Sequence, residues 1–162
     1  MENDRLLKRK FTFRKADRKV VLVKKVMESQ RHVVMKALLW ALYLPTYPGL
    51  QVEVSIGNKY KPDLVQLESG KPLFWGEAGS IGSEKLRWIL KRFLRTHFAL
   101  AIWGADLATF EDRVRRRTKR LKRPAPIDLI RFPTDADRRF IDAGGRIAIR
   151  HADLDWRRIT LS

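Results

Sequence analysis

The sequence predicts a single α/β domain in which helices flank a mixed, twisted β-sheet. Short apolar runs bounded by turn residues alternate with stretches of helical periodicity. One run, HFALAIW at 97–103, is apolar almost throughout, which is typical of an interior strand covered on both faces. The 162 residues contain no low-complexity linker and no internal repeat, so one domain spanning 1–162 is expected.

The first elements in order are a hairpin, a helix and a strand. KFTF and KVVLV flank the polar RKADR and predict an opening hairpin. From Met27 to Leu44 the apolar positions fall on one helical face, and Pro45 ends the helix. LQVEVSI at 50–56 predicts a strand that ends at the turn pair Gly57-Asn58.

The middle of the chain predicts a second hairpin followed by a helix. PDLVQL and PLFWGE are its two strands, and Gly70 in the connection Glu68-Ser69-Gly70-Lys71 can adopt positive φ. Ser83 is the expected N-cap of the next helix. Its apolar stripe has i, i+3, i+4, i+7, i+8 spacing and consists of Leu86, Ile89, Leu90, Phe93 and Leu94.

The last third continues the same α/β pattern after the interior strand. A helix is expected from Leu107 to Lys122, with a thin apolar edge. IDLIRF predicts a strand, and a short helix follows near 135–143. GGRIAIR and RRITLS predict two terminal strands of the same sheet.

Composition points to a soluble protein with a polyanionic partner. Lys and Arg number 35 against 18 Asp and Glu, which gives a formal net charge of +17. Such a charge favours nucleic acid first and an anionic membrane surface second. The apolar fraction of 44% excludes a disordered basic tail. No cysteine is present, which excludes disulfides and thiolate metal sites and is compatible with a reducing cytoplasm.

No targeting or membrane segment is expected. The start, MENDRLLKRK, lacks the apolar stretch of a secretory signal. The longest apolar run, 33–44, is interrupted by Lys36 and is too short to span a bilayer. We therefore expect a cytoplasmic protein without a membrane partner.

Two carboxylates stand at the ends of adjacent predicted strands. Asp63 follows Pro62 and begins one strand of the hairpin, and Glu77 ends the other. A three-residue loop would place Asp63 directly opposite Glu77, on one face of the sheet. A two-residue loop would turn Glu77 to the other face unless a bulge restores the register.

The order of these elements resembles the PD-(D/E)xK nuclease superfamily, and more closely its divergent YaeQ branch in bacteria. The similar segments are VVMKALLWALYL, KPDLVQL, LFWGEAG and the EKL that opens the next helix, followed by LIRFP and DADRRF. The resemblance covers most of the chain from about residue 28 onward. It implies a restriction-endonuclease-like fold and Mg²⁺-dependent nuclease or phosphodiesterase activity on nucleic acid.

The resemblance also implies a metal site. Mg²⁺ prefers oxygen ligands and needs only one or two carboxylates, and Mn²⁺ is the expected substitute. Asp63 and Glu77 would hold the ion, and the Ala78 carbonyl could add a third oxygen. Glu28, at the start of the first long helix, is implied as an outer or second-metal ligand.

The motif departs from the superfamily pattern at its lysine. That lysine usually lies two residues after the Glu, where this chain has Gly79. Lys85 is the best substitute because the EK of SEKL aligns with a similar segment of the family, while Lys61 and Lys71 are weaker candidates. Without a replacement cation, the alternative is a non-catalytic nucleic-acid-binding or regulatory protein that retains the fold.

A basic segment at 113–123 carries eight cations in eleven residues and no acid. Like charges at i, i+4 destabilise an isolated helix, so an anionic partner would offset their repulsion. We expect phosphate contacts here, although a solubilising face and an acidic protein partner are the alternatives. The predicted nucleic-acid-binding residues are Arg113, Arg115, Arg116, Arg117, Lys119 and Arg120.

The remaining histidines and tryptophans carry no ligand-like pattern. His32, His97 and His151 are expected in surface or packing roles. Four tryptophans lie within apolar segments and are expected in the core or at its edge, with base stacking as the less favoured interpretation. These four residues are Trp40, Trp75, Trp88 and Trp103.

Overall fold

A computed structural model describes residues 9–162. The segment MENDRLLKRK, in which we expect no secretory signal, lies mostly outside this range. Its main sheet has six strands in sequence order, and a separate hairpin precedes it. The hairpin pairs β1 (Arg9–Lys15) with β2 (Arg18–Lys24). The sheet strands are β3 (Gln51–Val52), β4 (Leu64–Glu68), β5 (Lys71–Ala78), β6 (His97–Trp103), β7 (Arg123–Phe132) and β8 (Asp155–Leu161).

The sheet is mixed, and helices cover both of its faces, which confirms the predicted α/β fold. Strands β5, β6 and β7 run parallel, and the other neighbours are antiparallel. The α-helices are α1 (Gln30–Tyr43), α2 (Ser83–Arg92), α3 (Leu107–Arg117) and the short α4 (Ala136–Phe140). Among these helices of residues 9–162, none has both the length and the apolar character that crossing a membrane requires.

Two hydrophobic cores lie on opposite faces of the sheet. One joins α1 to the sheet residues Phe74, Ala99 and Ala101. The other joins α2 and α3 to Trp75, Phe98 and the neighbouring inward-facing residues. Because consecutive residues of β6 enter opposite cores, this strand is buried on both faces, as its apolar sequence predicted.

Helix α1 is buried on all sides, whereas the sequence predicted a single apolar face. Every residue from Val33 to Tyr43 is buried. The cause is the opening hairpin, whose Phe13 and Leu22 pack into the same core and cover the side of α1 that faces away from the sheet. The helix also begins later than Met27, because Met27 has a φ of +72° and Ser29 caps the first turn.

Two predicted strands are shorter or absent. The strand expected at 50–56 pairs with β4 only at Gln51 and Val52, because Glu53 leaves the extended conformation with a φ of +54°. GGRIAIR forms isolated bridges instead of a strand. Its backbone bonds to Arg14 of β1, and Gly145 turns there with a φ of +79°.

The helix boundaries differ by a few residues from the predicted ones. Gly82, not Ser83, is the N-cap of α2, and α2 ends at Arg92, so that Leu94 is exposed. Helix α3 ends at Arg117 instead of Lys122, because the Thr118 hydroxyl donates to the Val114 carbonyl and Arg120 turns the chain at a φ of +65°. Helix α4 is likewise shorter than 135–143.

In the β4–β5 hairpin, a two-residue loop with a β-bulge gives the predicted register, and not a three-residue loop. Its loop has two residues, Ser69 and Gly70, both at positive φ, so that Glu68 pairs with Lys71. A β-bulge then inserts Leu73, because Leu67 pairs with Pro72 while Gln66 pairs with Phe74. Leu64 consequently lies opposite Gly76, and one step further Asp63 lies opposite Glu77.

A buried aspartate fixes α1 to the far end of the sheet. Asp128 of β7 accepts hydrogen bonds from the Tyr43 hydroxyl at 2.6 Å and from the Arg158 guanidinium at 2.8 Å, and it contacts His97 Nε2 at 2.8 Å. Burial alone would raise the pKa of Asp128, but hydrogen bonds from His97, Arg158 and Tyr43 lower it to about 2. His97 therefore has the packing role that the sequence suggested.

Candidate active site

Three adjacent strand ends place acidic residues at one edge of the sheet. Glu53 follows β3, Asp63 precedes β4 and Glu77 lies near the end of β5. The Asp63 carbonyl accepts the Glu53 N–H at 2.9 Å, and the Asp63 carboxylate accepts the Ala78 N–H at 2.8 Å. Asp63 is therefore held between the other two acids by its own backbone and side chain.

Glu77 is the more deeply buried acid of the central pair, with 5% of its surface exposed. One carboxylate oxygen accepts from the Trp75 indole N–H at 2.8 Å, and the other accepts from Lys85 Nζ at 3.1 Å. Burial raises the pKa of Glu77, and the neighbouring charge of Asp63 adds to the effect, so that the pKa reaches about 7. Half of this group is thus ionised near neutral pH.

A row of ionic contacts from α1 supports the acids from the other side. His32 lies between Glu28 and Asp63, with Nδ1 2.6 Å from Glu28 Oε2 and Nε2 3.6 Å from Asp63 Oδ2. One turn further, Lys36 donates to Glu28 Oε2 at 2.6 Å and also to Glu53. We refer to Glu28, His32, Lys36 and Glu53 as the ionic row.

The charge states of the ionic row follow from these contacts. Burial would raise the pKa of Asp63, but His32, the Ala78 N–H and Lys36 lower it overall. The Asp63 carboxylate in turn raises the pKa of His32. Lys36 is fully buried, and its pKa is raised because Glu28 and Glu53 outweigh the cost of burial. Asp63 is therefore the ionised member of the central pair.

Sequence reasoning missed His32, Lys36 and Glu53. The expectation that His32 has only a surface or packing role was wrong, because its ring contacts both Glu28 and Asp63. A signal was present, since residues 28, 32 and 36 recur at intervals of four and share one helical face. Lys36 was also the only charge inside an otherwise apolar run.

The donor set at Asp63 and Glu77 fits a hard cation. Both side chains offer carboxylate oxygens. The N–H and C=O groups of a strand residue point in the same direction. Because the Ala78 N–H points to Asp63, the Ala78 carbonyl points to the Asp63 side as well. Within residues 9–162 no three His, Asp or Glu side chains are grouped to hold a metal together. Two carboxylates, one carbonyl and water suffice for Mg²⁺.

Among residues 9–162, Glu28 is linked to Asp63 through His32 on one side and through Lys36 and Glu53 on the other. Its carboxylate accepts from the backbone N–H of Lys25 at 2.9 Å, and it also contacts His32 and Lys36. Burial opposes ionisation of Glu28, but these partners lower its pKa overall. In this arrangement Glu28 orients His32 and Lys36, and its role as an outer metal ligand stays a prediction.

The candidate catalytic lysines differ in their distance from Glu77. Lys85, on the first turn of α2, contacts Glu77 directly. Lys71 lies six residues before Glu77 on β5, or about 20 Å at roughly 3.3 Å per residue, which is too far for a lysine side chain. Gly79 has a φ of +90°, so the backbone at the usual lysine position disfavours any side chain.

The structure divides the predicted nucleic-acid-binding residues between two surfaces. All six are exposed. Arg113 lines a cleft that also contains His32, Ala78 and Gly79. Arg115, Arg116 and Lys119 line a separate hollow with Asp112. The remaining two, Arg117 and Arg120, lie at the end of α3 and in the turn that follows it.

Arg123, at the end of the basic segment, has a structural role. It is 3% exposed and donates to the carbonyls of Leu90, Phe93 and Thr96. Burial lowers its pKa to about 10. This arginine therefore stabilises the junction of α2 and β6, and its cation is not available to a ligand.

The fold is shared with solved structures of YaeQ proteins. The YaeQ protein from Pseudomonas syringae superposes with a TM-score of 0.59 at 20% sequence identity, covering 79% of this chain and 72% of that one. The YaeQ protein from Xanthomonas axonopodis pv. citri gives a TM-score of 0.52 at 14% identity, covering 76% and 72%. No protein-family model and no curated protein matches the sequence.

The raised pKa of Glu77 predicts a pH-dependent stability. Between pH 4.5 and about 7 the unfolded chain ionises this carboxyl and the folded protein does not. The free energy of unfolding should therefore fall as pH rises through that window, by about 3 kcal/mol at most, and level off above it. Urea unfolding of the wild type and of Glu77→Gln at pH 5, 6, 7 and 8 measures this. A difference between the two proteins that stays constant from pH 5 to 8 would contradict the assignment.

Proposed function

We propose that this protein is a divalent-metal-dependent phosphodiesterase that cleaves nucleic acid, a member of the YaeQ branch of the PD-(D/E)xK nucleases. The observation that carries the proposal is the arrangement of Asp63, Glu77 and Lys85. The hairpin register places Asp63 opposite Glu77, and the Lys85 ammonium lies 3.1 Å from the Glu77 carboxylate. The likeness to YaeQ structures supports the fold on which this arrangement depends.

Asp63, Glu77 and the Ala78 carbonyl would hold Mg²⁺ or Mn²⁺. Such a cation, when bound, polarises the scissile phosphate and lowers the pKa of an attacking water. Asp63 enters this role already ionised, because His32 and the Ala78 N–H stabilise its charge. Glu77 must lose its proton first, which its pKa of about 7 permits at neutral pH.

Lys85 replaces the missing motif lysine in this proposal. Its side chain is 27% exposed, so the ammonium can turn from Glu77 toward a phosphate oxygen. Its Nζ also lies 5.6 Å from the centre of the Tyr60 ring, which limits the directions it can take. Negative charge developing on the phosphate would attract this cation, as preorganised donors do in other active sites.

The ionic row positions the catalytic carboxylates. His32 holds Asp63, and Glu28 holds His32 through its other nitrogen. Lys36 joins Glu28 to Glu53, whose backbone N–H is bonded to the Asp63 carbonyl. Asp63 is thus supported on two sides, and its orientation does not depend on a bound ligand.

Nucleic acid is the proposed substrate, because the net charge of +17 includes exposed cations on the same end of the molecule as the site. Arg113 lies in the cleft beside Ala78, and the five further predicted cations are exposed along α3 and in the turn that follows it. An acidic protein partner remains the alternative for this segment. We infer a cytoplasmic location, with which the absence of cysteine from the sequence is compatible.

The second candidate function is non-catalytic nucleic-acid binding with the same fold. The observation that favours it is Gly79, which stands at the usual lysine position in a backbone conformation that disfavours a side chain. The ion pair between Lys85 and Glu77 could then be a structural replacement for a lost metal. The two functions differ in whether the protein cleaves nucleic acid at all.

The first experiment replaces the proposed catalytic cation. In a nicking assay on supercoiled and single-stranded DNA and on RNA with Mg²⁺ or Mn²⁺, Lys85→Ala should reduce the cleavage rate by about 100- to 1,000-fold, by analogy with loss of one oxyanion donor. Lys61→Ala removes a nearby exposed lysine and should leave the rate within about twofold.

The outcomes separate the candidate functions. A wild type that binds nucleic acid but cleaves none of the substrates with either metal would establish the non-catalytic function. Cleavage that is equally fast in Lys85→Ala would show that Lys85 is not the catalytic cation. A loss in Lys61→Ala alone would assign the catalytic cation to Lys61, the weaker candidate. A matched loss in both variants would show that the assay reports general charge and not the position next to Glu77.

The second experiment tests the basic segment. If Arg116 and Arg120 contact phosphates, replacing both with Gln should reduce the salt dependence of duplex binding by about 2 in the slope of log K against log[salt]. Fluorescence anisotropy between about 50 and 200 mM salt measures this slope. An unchanged slope would assign both arginines to a solvated surface.

A further inference from the structure

A cleft lies next to the candidate active site, over the carboxyl ends of β5 and β6. Its walls come from the first turns of α1 and from α3, and its lining includes Arg31, His32, Met35, Gly79, Trp103 and Arg113. Its volume is about 460 Å³, within the 300–1,000 Å³ that small-molecule sites occupy. The proposed function uses His32, Ala78 and Arg113 but leaves Arg31, Met35 and Trp103 unassigned.

The cleft contains two cations that form no ion pair with a carboxylate of residues 9–162. Arg31 and Arg113 are exposed, and neither takes part in any ion pair found among residues 9–162. The Arg113 guanidinium lies 5.3 Å from the centre of the Phe110 ring. An anionic ligand at this position would meet two available guanidinium groups, which suit phosphate oxygens.

The cleft also contains an accessible aromatic ring. Trp103 is half-buried at the end of β6, and the Arg31 guanidinium lies 5.6 Å from its centre. Met35, which belongs to the same core as Trp103, adds apolar surface to the cleft. An aromatic ring with an arginine and apolar neighbours is the combination on which unpaired bases stack.

The cleft reaches the candidate metal site through two of its lining residues. His32 Nε2 lies 3.6 Å from Asp63 Oδ2, and the Ala78 N–H donates to the Asp63 carboxylate at 2.8 Å. Gly79 lies at the same wall, where a Cβ would be in van der Waals contact with His32 Cδ2 at 3.8 Å. The cleft and Asp63 are therefore neighbours on either side of His32 and Ala78.

We propose that this cleft binds one unpaired nucleotide of a single-stranded nucleic acid, with its base on Trp103 and its phosphate near Arg31 and Arg113. This inference rests on the proposed function, since it names the substrate class of the same site. A base within a duplex has both faces covered by its neighbours, so it cannot stack on Trp103 unless it leaves the helix. The cleft therefore selects single strands over intact duplex.

Binding without metal tests the cleft directly. Fluorescence anisotropy in EDTA would use a labelled oligothymidylate of about 15 nucleotides and a duplex of the same length. Trp103→Leu should weaken oligothymidylate binding by about 10-fold or more, and Trp103→Phe should restore most of it, because stacking needs a ring. Affinity for the duplex should stay within about twofold in both variants.

Trp156→Leu is the matched control. Trp156 is also half-buried at a strand, and the Arg158 guanidinium lies 5.7 Å from its ring, but it does not line the cleft. This variant should bind both probes as the wild type does. If Trp103→Leu fails to fold, Arg31→Gln tests the same cleft at an exposed position. We expect this variant to bind oligothymidylate more weakly and the duplex as the wild type does.

The results distinguish this inference from the proposed function. Equal losses for both probes, or unchanged oligothymidylate binding in the folded cleft variants, would overturn the inference. Trp103-dependent binding of single strands without any cleavage in Mg²⁺ or Mn²⁺ would support the cleft and refute the proposed catalysis. Lys85-dependent cleavage of duplex alone, with Trp103 irrelevant, would support the catalysis and refute the cleft.

Discussion

The register of the β4–β5 hairpin decides whether this molecule has a site at all. The two-residue turn at Ser69 and Gly70 would by itself send the Glu77 side chain to the wrong face of the sheet. The bulge at Leu73 adds one residue to β5 and brings Glu77 opposite Asp63. The contact with Lys85, the raised pKa of Glu77 and the position of Ala78 all follow from that one extra residue.

Burial of the charges of the ionic row lowers the stability of the fold relative to apolar side chains in the same places. Each buried ion loses several kcal/mol of hydration, and only good geometry and hydrogen bonds repay the loss. Lys36 is fully buried between Glu28 and Glu53, and it belongs to α1, whose other buried residues are aliphatic or aromatic. Proteins place such arrangements where a ligand or reaction requires oriented charge, which agrees with a site at Asp63 and Glu77.

Patterns of apolar residues predicted most of the elements, because periodicity reports directly on burial. The interior strand β6 and both hairpins were evident from their own residues. Tertiary contacts decided the rest. The residues of α1 do not indicate that the opening hairpin covers this helix. The conformational preference of glutamate does not indicate that Glu53 adopts positive φ and contacts Lys36. The pairing of Asp63 with Glu77 was one of two possible registers, since a bulge has no sequence signal of its own.

Direct metal binding tests the central claim, that Asp63 and Glu77 form a cation site. Isothermal titration calorimetry with Mn²⁺ should detect a single ion per chain, with binding lost in Asp63→Asn because a carboxylate ligand disappears. Glu68→Gln, which removes an exposed acid at the other end of β4, should bind as the wild type does. Unchanged Mn²⁺ affinity in Asp63→Asn would contradict the account.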